Sequence, residues 1–194
     1  MGLQDSLPGR FGPQVDSTLG NSKVMENRAY DSGVNALIGI DVVHNRIHEG
    51  LAFVAIHQTA HGTATAATML ITTATAQNPH VVLAVSADKG GKWTFSEAPN
   101  ASGGSAITSY NRNRASSTTS GTTITHTATY VSAGSIIDRG IVGAAGGNPN
   151  SVTGGGSTPR PEWELAASTI YLVRFVADNA TTVTDIRAEF YYED

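Results

Sequence analysis

The sequence predicts an all-β fold, an antiparallel sandwich or barrel that follows an extended N-terminal arm. From residue 36 onward, about ten segments rich in β-branched and aromatic residues succeed one another. Turn signals such as "QNP", "DKGG" and "DNAT" separate them, and no helical hydrophobic period intervenes. We therefore expect an arm over residues 1–35 and a β-sandwich domain over residues 36–194.

The predicted arm has Gly and Pro scattered among polar residues and no sustained hydrophobic period. A segment of this length reaches roughly 100 Å when fully extended, far beyond its own domain. Such an arm wraps a neighbouring subunit, or stays disordered until it does so. Its candidate interface residues are Arg10 and Phe11, since Arg and aromatic side chains are enriched at protein interfaces.

The predicted strands have the usual strand length. Within 51–59, Phe53 and Ala55 share one face of the strand, and Val54 and Ile56 share the other. Only the Ala-rich start of the third segment is compatible with a short helix, and its Thr residues favour a strand. The segments are 36–43, 51–59, 67–75, 80–88, 92–98, 122–130, 135–144, 162–167, 169–178 and 183–193.

The last two segments predict a hairpin. Apolar residues occupy every second position in both, which places one row of side chains from each in the core. Arg174, Arg187 and Glu189 mark the opposite faces. The core-facing rows are Tyr171, Val173 and Phe175 in the first segment and Ile186, Ala188, Phe190 and Tyr192 in the second.

The composition indicates that much of the surface is covered by a partner or by copies of the same chain. Charged residues make up 14% of the chain, against about 25% in a typical soluble protein. A neutral, hydroxyl-rich surface suits a protein that is surrounded by copies of itself or by a partner. The formal net charge of −4 argues against nucleic acid as that partner, because phosphate binding depends on clustered cations.

The chain has no Cys, which excludes disulfides, thiolate nucleophiles and Cys-based zinc sites. No apolar run approaches the roughly 18 residues that span a bilayer, and the N-terminus lacks signal-peptide features. We expect synthesis in the cytoplasm and no membrane partner.

Two long stretches between strands, 99–121 and 145–161, are predicted to be irregular, and loops of this length tend to be functional or disordered. The second stretch is Gly-rich but lacks the spacing of a phosphate-binding loop. It is better explained as a flexible loop or one that a partner orders.

Four histidines are spaced in pairs, His44 with His48 and His57 with His61. On a helix this spacing suits zinc, but the Glu of a zinc-hydrolase motif is missing from both pairs. In a strand, residues four apart lie roughly 13 Å from each other, too far to share one ion. We expect no metal site and interpret the histidines as polar or interface residues.

Signals of catalysis are equally incomplete. "GGSAI" at 103–107 lacks the closing Gly of a nucleophile elbow. Glu162 and Glu164 flank Trp163, an arrangement compatible with glycoside cleavage or a carbohydrate-binding face. The alternative is a Trp that covers one end of the sandwich beside two solvated acids, and this interpretation is favoured. We expect no catalytic residue and no cofactor.

The stretch "TSYNRNRASSTT" at 108–119 concentrates the candidate interface residues Tyr110, Asn111, Arg112, Asn113 and Arg114. Its guanidinium and amide groups can form forked hydrogen bonds to phosphate, carboxylate or sugar. It is equally compatible with a solvated loop tip. A third interpretation places the arginines against carboxylates or carbonyls of a neighbouring subunit, and the composition favours this one over binding of a small anionic or sugar ligand.

The chain resembles the head decoration, or capsid cement, proteins of tailed bacteriophages. The likeness runs through "HNRIHEGLAF" (44–53), "GGSAITSYNRNRASS" (103–117) and "LAASTIYLVRFVADNATTVTDIRAEFYYE" (165–193). In that family an "IHEGKAF"-like start, an "NRNS"-like loop and a "TTYLLR"-like strand occur in the same order. Leu51 stands where the family commonly has Lys, and Ala115 is inserted before the serines.

The resemblance implies a jelly-roll β-sandwich without catalytic activity that binds in many copies to the exterior of a phage capsid. The implied partner is the major capsid protein, with self-association into trimers in preference to dimers. An alternative function is a glycan-binding module on the virion, using loops such as 110–113 or the ring of Trp163. An enzyme that cleaves glycans or esters is the third hypothesis.

Overall fold

The computed structural model describes residues 28–31, 36–39, 42–63, 65–142, 161–178 and 181–193. These ranges contain one helix and fifteen strands, which confirms the all-β prediction. In chain order they are β1 (Arg28–Asp31), β2 (Ala36–Gly39), α1 (Val42–Glu49), β3 (Ala52–His61), β4 (Ala66–Thr72), β5 (Pro79–Ala87), β6 (Gly91–Glu97), β7 (Asn100–Ser102), β8 (Ser105–Ile107), β9 (Tyr110–Asn111), β10 (Thr123–His126), β11 (Thr129–Ser132), β12 (Ser135–Val142), β13 (Glu162–Glu164), β14 (Ile170–Ala177) and β15 (Thr182–Tyr192).

The chain divides into two compact units after Asn45. In the first unit, β1 and β2 pair antiparallel, with Arg28 opposite Gly39. β1 lies within the segment predicted as an arm. The other residues of that segment, Arg10 and Phe11 among them, lie outside the described ranges, as does the Gly-rich stretch up to residue 160.

The second unit is a jelly roll. Eight strands pair antiparallel as nested partners: β3 with β15, β4 with β14, β5 with β13, and β6 with β12. The resulting sheets have the orders β13-β5-β15-β3-β9 and β12-β6-β14-β4-β10-β8. First and last strands are thus neighbours, and the nested pairs fold over one another as in a double Greek key.

The core lies between the five-stranded and the six-stranded sheet. Phe53 and Phe190 from the first sheet and Phe95 and Phe175 from the second are fully buried in it. The predicted core rows of β14 and β15 are buried, and Arg174, Arg187 and Glu189 lie on the opposite faces. The alternation in the sequence therefore assigned each face correctly.

The predicted pairing of the last two segments is wrong. β14 belongs to the six-stranded sheet and β15 to the five-stranded sheet, so the chain passes from one sheet to the other between Ala177 and Thr182. Their apolar rows meet through the core and not side by side in one sheet. Alternation shows which face of a strand is buried, but it does not show which strand is its neighbour.

Helix α1 was also not predicted, because the sequence indicated a strand through residue 43 and no helix. α1 has eight residues, none of them buried, so it has little of the apolar periodicity that reveals a helix. It ends at Glu49, and at the following residue Gly50 N–H donates to Ile47 O (3.1 Å) while Leu51 N–H donates to Arg46 O (2.9 Å). This bonding pattern, with Gly50 at φ +75°, is a Schellman cap.

The stretch 99–121, predicted as an irregular loop, belongs to an ordered strap, which we define as residues 98–134. The β6–β12 ribbon continues into the paired strands β7 and β11, and then into β8 and β10. β10 pairs with β4. The ribbon therefore leaves the six-stranded sheet at one edge and rejoins it at the other. The predicted strand 122–130 is broken in two at Thr127 by the second of the two bends.

Residues with positive φ create both bends of the strap. At the first bend Ala98 (φ 47°) faces Gly134 (φ 68°), and at the second Gly103 (φ 71°) and Gly104 (φ 94°) face Thr127 (φ 57°). A Cβ on Gly134 would lie 2.3 Å from Glu97 O and 2.5 Å from Ala98 O. Only glycine fits where the two backbones approach so closely.

Between its bends the strap covers the outer face of the six-stranded sheet. Leu172 of β14 and Leu70 of β4 are buried there against Ala101 of β7. Ala128 N–H donates to Thr68 Oγ1 (3.2 Å). The guanidinium carbon of Arg174 lies 4.8 Å from the centre of the Tyr130 ring. The strap thus forms a small second core outside the sandwich.

Candidate functional site

The predicted interface stretch begins as β9, the edge strand of the five-stranded sheet. Tyr110 lies opposite Val54 and Asn111 opposite Phe53, and Arg112 N–H continues the pairing by donating to Ala52 O (2.8 Å). Asn111 faces inward with Phe53, and Tyr110 faces outward with half its surface exposed (53%). This first part of the loop is therefore sheet, not a mobile tip.

Asn111 fixes the loop from inside. Its side chain is buried, and its Nδ2 donates to Gly50 O (2.8 Å) and to Thr118 O (3.1 Å). Its Oδ1 accepts from Asn113 N–H (2.9 Å), which closes an Asx turn. With every polar atom of the amide engaged, Asn111 has a structural role and is not available to a ligand.

Asn113 attaches the same loop to α1. Its Nδ2 donates to His48 O (2.9 Å) and its Oδ1 accepts from Ala115 N–H (3.1 Å). Ser116 packs against the helix cap so closely that a Cβ on Gly50 would lie 2.3 Å from its Oγ. Ala115 thus lies within a second Asx turn.

Arg112 and Arg114 are the members of the stretch that face solvent, together with Tyr110. Arg112 Nη1 lies 3.3 Å from Glu189 Oε2. Arg187 Nε lies 2.8 Å from the other oxygen of the same carboxylate. The guanidinium carbon of Arg114 lies 5.7 Å from the centre of the Tyr110 ring. We call Arg112 and Arg114 the arginine edge, since they follow the edge strand β9.

The opposite edge strand of the same sheet, β13, carries acids. Glu162 Oε1 accepts from Tyr191 OH and lies 2.9 Å from His80 Nδ1. Glu164 Oε1 accepts from Asn78 Nδ2 (3.2 Å). Glu193, just after β15, is exposed and its Oε1 lies 3.9 Å from His80 Nε2. We call Glu162, Glu164 and Glu193 the acidic edge.

Trp163, between the two acids, faces the core. It lies opposite Val81 in the pairing of β13 with β5, packs against the main core and stands edge-on to Phe95, with ring centres 6.2 Å apart. The interpretation of Trp163 as a cover of the sandwich is therefore the one that matches the geometry. Its ring is not presented outward as a sugar-stacking platform.

The paired histidines do not converge. His44 and His48 are exposed on α1, whereas His57 and His61 lie on the inward side of β3 and contact different groups. His61 Nε2 lies 2.8 Å from Thr184 Oγ1, and its Nδ1 faces the carbonyls of Gly62 and Thr65 rather than a carboxylate. In the described part of the chain, no three metal-ligating side chains come together.

His57 instead makes a contact between the two sheets. Its ring stacks on that of His126 in β10, with centres 4.2 Å apart and planes 21° from parallel. Burial lowers the pKa of His57 below its ordinary value of 6.5, and the charge of His126 lowers it further, while Asp185 opposes both. The stack is therefore stable when His57 is neutral. The spacing of His57 and His61 in the sequence did not indicate that His126 would be a neighbour of His57.

Large aliphatic side chains are exposed on and beside the strap. Val131 of β11 is 68% exposed, and Ile136 and Ile141 of β12 are 52% and 74% exposed. We call these three residues the apolar strip. Ile136 and Ile141 pair with Ser96 and Lys92, so they face away from the core. The sequence predicted a strand over this segment, but it gave no indication that one face of the strand would be uncovered.

Comparisons with known proteins return no match: no family model, no curated protein and no solved structure matches this chain. Within the described ranges, no helix has the length and apolarity to cross a membrane.

Proposed function

We propose that this protein is a structural component of a phage virion, a decoration protein that binds the exterior of the capsid across major capsid protein subunits. The chain then acts by burying surface across joints between subunits, so that separating them also requires loss of its contacts. No chemical step is needed, and we propose that it is not an enzyme. Its location is the capsid exterior after synthesis in the host cytoplasm.

The observation that carries the proposal is the apolar strip. Covering exposed aliphatic side chains with a partner stabilises the complex by about 25 cal/mol per Å² of apolar surface buried. A strand edge rich in such residues promotes aggregation of a protein that stays free. β12 is an edge strand of the six-stranded sheet. A permanent partner that covers this region accounts for both the exposed aliphatic side chains and the edge position of β12 in its sheet.

The ordered strap supports the same function. It presents Val131 on a ribbon that is fixed by two bends and by the buried contacts of Leu70 and Leu172. A pre-ordered surface loses less conformational entropy on binding than a flexible loop. The low charge content of the chain, 14%, suits a flat interface rich in hydroxyl groups.

The test replaces the strip and measures capsid binding. The variant Val131→Thr/Ile136→Thr/Ile141→Thr retains β-branched side chains and removes apolar surface. We expect its affinity for undecorated capsids to fall by tenfold or more, measured by co-sedimentation. The matched control, Ile56→Thr/Val183→Thr, changes exposed apolar residues on the five-stranded sheet and should bind like the wild type. Equal binding by the two variants would contradict the proposal.

Glycan binding remains the alternative function. The exposed ring of Tyr110 is the feature that favours it, since aromatic rings stack on sugars. Arg114 lies over that ring, and Trp163 faces the core. A glycan array separates the two functions, because saturable binding to a defined sugar that is lost in Tyr110→Ala would support the alternative.

A further inference from the structure

The five-stranded sheet separates charge between its two edges. Its order is β13-β5-β15-β3-β9, so the acidic edge and the arginine edge stand on opposite sides. One row of cross-strand neighbours spans the sheet from Glu162 through Val82, Glu189 and Val54 to Tyr110. At the usual strand spacing the ends of this row are roughly 19 Å apart.

Among the described residues, each edge keeps the sign of its charge after its internal ion pairs are counted. At the arginine edge, one carboxylate, Glu189, is shared by Arg112 and Arg187, and Arg114 contacts an aromatic ring. The neighbouring helix adds the Arg46–Glu49 pair (2.6 Å), whose charges cancel.

At the acidic edge, Glu162 and Glu193 both face the single ring of His80. Glu164 accepts from the amide of Asn78, which carries no charge to offset the carboxylate. Arg160 and Asp194 flank this edge in the sequence, carry opposite charges and lie outside the described residues.

We propose that the arginine edge of one copy binds the acidic edge of the next, so that the protein assembles head to tail into a ring. The occupant of each edge is a second copy of this chain, chosen by charge complementarity between two short edge strands whose outer sides have no strand partner in the described ranges. Such strand edges are ready templates for association.

The geometry restricts the symmetry. The two surfaces in contact are different, so the interface is heterologous, and a heterologous interface closes into a ring when the rotation per step allows it. A two-fold dimer uses the same patch on both copies and is excluded by this mode. The inference goes beyond the proposed function, and of the trimer and the dimer that the resemblance implies, it is compatible with the trimer alone.

The test reverses charge on one edge at a time. Variant A is Arg112→Glu/Arg114→Glu, and variant B is Glu164→Arg/Glu193→Arg, which spares Glu162 and its bonds to His80 and Tyr191. We expect the wild-type chain to sediment as a closed ring, and A or B alone to need at least tenfold higher concentration to associate. Association of the wild type should weaken at about 1 M salt, where the Debye length is about 3 Å.

Two rescue experiments make the test specific. In the quadruple variant both edges are reversed, so the edges are complementary again and ring formation should return. In a mixture of A and B each edge of A meets an opposite charge on B, so the mixture should associate at a concentration at which neither variant does so alone. Strict alternation closes only even-numbered rings, so the mixture should not form the wild-type trimer.

Folding and capsid binding are measured in parallel. If variant A unfolds because the carboxylate introduced at position 112 repels Glu189, Arg114→Glu alone serves in its place. The proposal is overturned if wild-type protein is monomeric or a two-fold dimer, if A associates like the wild type, or if A loses capsid binding but not self-association. Ring formation without capsid binding would overturn the proposed function and leave this inference intact.

Discussion

Single residues fix the conformation of the polar loop at 110–114. The stretch 110–114 contains asparagines and arginines that the sequence alone does not distinguish in role. Asn111 and Asn113 use their amides to fix the loop to Gly50 and His48. Arg112 and Arg114 face solvent. The sequence predicted all five as interface candidates, but hydrogen-bonding partners such as Gly50 O are distant in the sequence and could not be inferred from it.

The His57–His126 stack predicts a pH dependence of stability. Because burial and His126 lower the pKa of His57 in the folded state, the unfolded chain takes up a proton more readily than the folded one. The contribution is fully present above pH 6.5 and is lost as the pH falls below it. The charge of Asp185 opposes the effect without reversing it.

The measurement is the free energy of unfolding in urea between pH 7.5 and 5.5. The wild type should lose stability on acidification over this range, and His57→Gln should lose less. His48→Gln, at an exposed position on α1, is the matched control and should follow the wild type. If the free energy of unfolding changes with pH equally in His57→Gln and the wild type, the His57–His126 stack does not cause the pH dependence of stability.

The elements show what a pattern of alternation does and does not predict. The core faces of β14 and β15 were assigned correctly from their apolar residues, and the alternation predicted for β3 separates buried Phe53 and Ala55 from less buried Val54 and Ile56. The strand partners of β14 and β15 were predicted wrongly. The alternation buries Phe175 and Phe190 equally well whether the two strands face each other across the core or pair in one sheet. Residues 99–121 of the strap were predicted as an irregular loop, because the strands there are two or three residues long and too short to establish a period.

The bends of the strap give a prediction for Gly134. The change Gly134→Ala puts a Cβ into contact with the carbonyl oxygens of Glu97 and Ala98 at a positive φ. We expect it to destabilise the fold by about 2–4 kcal/mol, the sum of a backbone penalty and a steric one. Chemical denaturation measures this loss.

Gly62 offers the control for this change. A Cβ there has no neighbour within 4 Å and no positive φ to strain it, so Gly62→Ala should lie within about 0.5 kcal/mol of the wild type. Equal stability of the two variants would show that the strap does not depend on a close approach at its first bend.

For the whole molecule, composition and strand count predicted the class of fold, and the nested pairing of eight strands confirms a jelly roll. The resemblance to capsid decoration proteins stays a prediction, because no family model, curated protein or solved structure matches the chain. The apolar strip could not be predicted, since Ile141 is an ordinary strand residue until its sheet is shown to have an uncovered face. The charge separation likewise depends on strand order, which places residues 112 and 164 on opposite edges.

The central claim, that this protein decorates a capsid, is tested most directly by a cryo-electron microscopy map of the virion whose genome carries the sequence. We expect the jelly roll in many symmetry-related copies on the outer surface of the shell, with Val131, Ile136 and Ile141 against the major capsid protein. Density for this fold only on the tail or its fibres, or no density on the shell, would contradict the account.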